Sequence, residues 1–226
     1  MRDMEPTDIN RLLLCGIAEE APAFSHAVRD EAFFHLPLAV TRRSGTIDRL
    51  PVTVPERLLA REIAKGAWLR VEGQLRTYDR YDEAGRHLLV TAYARRLEPL
   101  PPPGMAVPAE FCPEGPAGNA VPPTGTENEV LLTGTVCRIP VYRVTPLMRE
   151  IADVLLCCER AFGRRDYLPV IVWGALARSA AHWTPGRRIQ VRGRFQSRAY
   201  EKLLPGGEAE QRVAYEVSAA AAHPLP

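Results

Sequence analysis

The sequence predicts an all-β chain of two tandem five-stranded barrels, each with a short helix between its third and fourth strands. Three observations lead there: an internal repeat, apolar residues alternating at strand period, and a proline-rich break between the two copies. The repeat organises the rest. Leu12-Leu-Leu-Cys-Gly16 resembles Val130-Leu-Leu-Thr-Gly134, and Leu50-Pro-Val-Thr-Val54 resembles Leu168-Pro-Val-Ile-Val172, both at an offset of 118 positions. Val71-Glu-Gly-Gln-Leu75 resembles Val191-Arg-Gly-Arg-Phe195 with the offset grown to 120. The two halves are read as domains at 9–98 and 128–224. Residues 99–127 carry Pro101-Pro-Pro103, Pro122-Pro123 and several glycines with no apolar period, and read as an extended linker.

Within the second half, strands are predicted over 130–138, 151–160, 167–173, 188–200 and 212–219, with a helix over 175–183 stopped by Pro185-Gly186. The first-half helix is predicted over 56–65, stopped by Gly66. In the fourth strand Ile189, Val191, Gly193 and Phe195 alternate with Arg188, Gln190, Arg192, Arg194, Gln196 and Arg198. In the third, Leu168, Val170 and Val172 share one face, while Tyr167, Ile171 and Trp173 share the other. Five strands with a helix in that slot describe the OB fold.

Composition narrows the function by exclusion. With 46% hydrophobic and 25% charged residues the chain reads as ordinary globular protein, and no apolar run is long enough to span a bilayer. The first ten residues are polar and unlike a secretory signal, so a cytoplasmic location without membrane partners is expected. A net charge of +2 does not announce a nucleic-acid binder, so local patches have to. The cysteines Cys15, Cys112, Cys137, Cys157 and Cys158 are odd in number and lack CxxC spacing, which argues against a disulfide framework and a zinc site. The five histidines have no metal-ligand spacing, and no catalytic set or phosphate-binding glycine loop appears. No enzyme activity, cofactor or metal is expected.

Lys65-Gly-Ala-Trp-Leu-Arg-Val-Glu-Gly-Gln-Leu-Arg-Thr77 resembles a segment of the bacterial single-stranded DNA-binding protein family. Val130-Leu-Leu-Thr-Gly-Thr-Val136, the run of Pro140, Arg143 and Pro146, and Leu168-Pro-Val-Ile-Val-Trp-Gly174 resemble further segments of that family in order and spacing. The resemblance covers most of both halves and implies a variant with two OB folds in one chain. It implies sequence-tolerant binding of single-stranded DNA, serving replication, recombination or repair, through base stacking and phosphate contacts. It also implies four OB units per assembly, hence a homodimer. The C-terminal Ala219-Ala-Ala-Ala-His-Pro-Leu-Pro226 differs from the family's acidic tip, which puts the usual partner recruitment in doubt. A protein-interaction module of a replication or mobile-element complex, and an RNA-binding OB protein, stay open as alternatives.

Single strands are held by basic grooves and aromatic faces. Trp173 is the first candidate, being out of phase with the core of its strand, with packing under a loop as the plainer reading. Tyr167 shares its phase. Tyr142, Arg143 and Arg149 lie between the first and second strands, and Arg160, Arg164 and Arg165 flank the tip before the third. Any one of these arginines is as readily an ordinary surface residue. The stripe of Arg192, Arg194 and Arg198 fits a DNA path and a subunit contact equally. Tyr200 lies on the hairpin that follows. In the first half Arg42, Arg43 and Arg49 echo the basic tip, Arg76 lies on the fourth strand, and Tyr78, Arg80 and Tyr81 lead into the hairpin. Pro55 stands where the second half has Trp173, so the first half is expected to bind less well.

Overall fold

The computed structural model describes residues 8–82, 85–101, 127–203, 207 and 209–226, with the side chains of 80–82, 85–87 and 202–203 left aside. The first half consists of β1 (Asn10–Ala18), β2 (Ala23–Val28), β3 (Glu31–Thr41), β4 (Ile47–Pro55), β5 (Trp68–Asp82) and β6 (Gly85–Leu100). The second consists of β7 (Asn128–Val136), β8 (Val141–Val144), β9 (Glu150–Glu159), β10 (Arg165–Trp173), α1 (Ala175–Ala180), β11 (Arg188–Leu203) and β12 (Ala209–Pro224). The repeat is legible in burial, since β1 and β7 bury the same positions in the same order. Leu168, Val170 and Val172 are buried as their alternation requires, and so are Ile189, Val191 and Phe195.

Strand pairings return to their starting point in each half. β1 pairs with β3 and β5, β3 with β4, β4 in parallel with β6, and β6 with β5. The second half repeats this with β7, β9, β10, β12 and β11. Two glycines in each half permit the close approaches this needs. A Cβ on Gly134 would meet the Cys157 carbonyl oxygen at 2.4 Å, and one on Gly193 the Ser218 carbonyl oxygen at 2.2 Å. Gly193 adjoins a break in register between β11 and β12, as Gly73 does between β5 and β6, so each glycine sits where an extra residue bends the pair.

The halves are joined edge to edge. β1 runs antiparallel to β7 with Leu12 opposite Val130, its own repeat counterpart, so a local two-fold axis passes between them. All twelve strands thereby form one sheet.

The structure corrects the expected helix over 56–65. Only a single 3-10 turn forms there, Glu56–Leu58. The second half's helix is seated by Ala177 and Ala180, both fully buried. The offset grows from 118 to 120 across this stretch, so the first half has two residues fewer in which to form the helix. The segment instead buries Ile63 and leaves Glu62 exposed. β2 and β8 add a sixth strand to each half, each pairing only with the strand that follows it. β6 runs to Leu100, past the expected start of the linker, and residues 102–126 lie outside the described ones. Among the described residues, no helix is long and apolar enough to cross a membrane.

Candidate nucleic-acid interface

Trp173 ends β10 and stays 36% exposed, its indole N–H donating to Ser218 Oγ on β12 at 3.2 Å. The bond fixes one edge of the ring and leaves the ring itself partly open to solvent. It borders a cleft of about 560 Å³ whose charged lining consists of Arg42, Arg149, Arg194 and Arg198, with no carboxylate among the lining residues. Arg194 and Arg198 come from β11, Arg149 from the turn before β9, and Arg42 from the first half. Burial pushes the Arg194 guanidinium down, and the neighbouring Arg42 adds to that. Its Nε is buried without a hydrogen-bond partner. A site that crowds cations and leaves a donor unused is suited to an anion.

Several arginines are already committed. Arg42 makes two 2.6 Å hydrogen bonds to the buried Asp48, which push its pKa up. Arg198 is held by Glu216 at 3.2 and 3.3 Å. Asp48 Oδ1 also accepts the Ser197 backbone N–H of the other half at 2.8 Å. The same lock recurs across the two-fold. Arg160 lies 2.9 Å from the buried Asp166, at an angle short of a hydrogen bond, and Asp166 Oδ1 accepts the Thr77 N–H at 3.0 Å. These repeated pairs hold each half's tip against the other half's long hairpin. The basic tips read from the sequence are therefore interface as well as surface.

A second cleft, of about 880 Å³, is the counterpart of the first across the two-fold. Arg160 and Arg164 replace Arg42 and Thr46, while Gln74 and Arg76 replace Arg194 and Gln196. Arg76 lies over the Tyr93 ring at 5.0 Å.

Other expected residues are dispersed. Tyr167 is exposed on β10, but six residues before Trp173, about 20 Å along the strand, and outside both clefts. Tyr142 donates to Glu150 at 2.6 Å, and Arg143 makes a two-pronged contact with Asp153 at 2.9 and 3.3 Å. Arg165 pairs with Glu159 and Arg49 with Glu19. Tyr78 and Tyr200 are exposed, the latter with Arg198 over its ring at 5.8 Å, and Arg43 is exposed beside Arg42. Arg192 is exposed, 3.9 Å from Glu129. The side chains of Arg80 and Tyr81 lie outside the described ones. Sequence reading passed over Arg11, Arg29 and Arg95, which line the second cleft from three different strands or turns. Phe162-Gly163 between arginines was the one legible signal there, an aromatic at a turn where no core strand needs one. The described residues hold no cluster of three metal-ligating side chains.

Residues 127–224 match the model of the single-strand binding protein family. The second half of the chain is therefore similar to that family. A single-stranded DNA-binding protein of Clostridium tetani is 33% identical over 81 residues, covering 33% of this chain and 56% of that protein. Another, of Clostridium acetobutylicum, is 32% identical over a stretch of the same extent. The chain thus spans about half the length of the curated single-strand binding relatives it matches. The wild-type single-stranded DNA binding protein from Thermus aquaticus has a similar fold along 97% of this chain and 94% of its own, with a TM-score of 0.69 and 22% identity. The likeness of fold therefore extends over both halves, including the first, which the family model leaves unmatched.

Proposed function

We propose that the chain binds single-stranded DNA without sequence preference and without catalysis, in the cleft bordered by Trp173. The observation that carries this is the conjunction of an indole ring with four arginines and no lining carboxylate. Bases stack on the ring and phosphates meet the guanidinium groups. The ring of pairings in each half supports reading them as two OB barrels, domains at 9–98 and 128–224 joined by 99–127. By the same reading the protein protects single strands in replication, recombination or repair, in the cytoplasm. Two units per chain favour a homodimer of four, so light scattering should give twice the chain mass of 25.1 kDa, and a stable monomer contradicts this.

The test is a titration of a thymidine oligonucleotide against intrinsic fluorescence at several salt concentrations. Quenching should accompany binding, and affinity should fall with salt at a log–log slope of about −0.7 for each phosphate contact. Duplex DNA competing as well as the single strand would overturn the reading.

A further inference from the structure

We propose that the second cleft is a separate single-strand binding subsite, in which Phe162 of one half stacks a base beside arginines of the other. The proposal rests on the reading of the chain as a binder of single strands, and it gives the first half's cleft a stacking ring where Pro55 stands in place of Trp173.

Phe162 is 82% exposed at the tip between β9 and β10. It has φ 62°, and Gly163 follows with φ 69°, so two consecutive residues are left-handed. A bulky residue seldom adopts that conformation, and such residues gather at ligand sites. Phe162 makes no ring contact with another aromatic among the described residues. Its own domain therefore gives no packing reason for the ring to stand there.

What lies beside it is charge. The cleft is lined by Phe162 and by Arg11, Arg29, Arg76, Arg95, Arg160 and Arg164. Two carboxylates also line it, and both are engaged elsewhere. Asp8 accepts from Arg188 at 2.6 Å, and Glu159 pairs with Arg165. Arg11, Arg29 and Arg164 pair with no carboxylate among the described residues. Arg76 has a buried Nε without a hydrogen-bond partner, as Arg194 does in the first cleft. A flat apolar ring beside unneutralised guanidinium groups fits a ligand that alternates bases with phosphates. The two-fold strengthens the assignment, because the floor of each cleft is one half's long hairpin and a wall of each is the other half's tip. Trp173 serves one cleft from β10, the strand beside its floor, and Phe162 serves the other from the wall.

The experiment uses the full chain and a thymidine oligonucleotide of about 10 nucleotides, within the length one OB unit covers. Two oligonucleotides should bind per chain. Phe162→Ala should weaken one of the two steps roughly 5- to 150-fold and leave the other, with its Trp173 quenching, unchanged. Phe162→Trp should restore the weakened step and add an indole signal that the second oligonucleotide quenches. Phe162 is exposed, so an unchanged melting curve checks that the variants fold. One oligonucleotide per chain, or two steps indifferent to Phe162→Ala, overturns the subsite while leaving the Trp173 cleft standing. Absence of all binding overturns the underlying reading instead.

Discussion

Asn128 does at residue scale what the repeat does for the whole chain. Its side-chain amide donates to the Phe195 carbonyl at 2.7 Å and accepts the Phe195 N–H at 2.9 Å, a side chain standing in for a strand rung. Asn10 makes the same two bonds to Leu75. Asn128→Ala leaves both main-chain groups of a fully buried phenylalanine unpaired, and should cost about 1–3 kcal/mol in denaturant unfolding. A loss within error of zero would mean that water replaces the amide. Neither asparagine drew notice in the sequence, because an asparagine at a strand start reads as turn material. Trp173 was legible because alternation alone marks a tryptophan out of phase with its strand's core. Arg42 and Arg160 were legible as cations. Their aspartate partners six residues on were not, since the turn between had to bring the chain back before the charges met.

At the scale of elements, the sequence reading located the five core strands of the second half, four of them to within about three residues at each end, because alternation and the repeat reinforce each other. It missed β2 and β8, which bury nothing and so leave no apolar signature. It placed a helix over 56–65 in the first half, where the segment is two residues shorter than its counterpart and only a 3-10 turn forms. The locks between tips and hairpins were out of reach, because each joins residues about 90 to 150 positions apart. One lock has a pH signature. Burial holds the Asp166 carboxyl above its ordinary 3.8, despite the bonds from Thr77 and the charge of Arg160. With the folded value raised, its contribution to stability is complete below about pH 3.8 and is lost as pH rises through the folded value. The melting temperature of the wild type minus that of Asp166→Asn should therefore shrink as pH rises out of that range. A difference that widens with pH would show that the pairing with Arg160 outweighs burial.

Over the whole molecule, the halves share the β1–β7 pairing and two reciprocal aspartate locks, so each is incomplete alone. Cys15 N–H donating to the Glu127 carbonyl at 2.7 Å extends the seam beyond the paired strands. The chain should unfold in a single calorimetric transition with matching calorimetric and van't Hoff enthalpies, and two resolved transitions would show independent domains. The same seam brings the basic tip of one half to the cleft of the other, which a reading of each half in isolation does not reveal. The proposed function depends on that arrangement, because Arg42 crosses the seam to line the cleft bordered by Trp173. The most direct test is the oligonucleotide titration repeated on Trp173→Ala. The account predicts an affinity lower by roughly 5- to 150-fold, loss of most of the fluorescence quenching, and a salt slope unchanged because no phosphate contact is removed. An affinity equal to that of the wild type would contradict it.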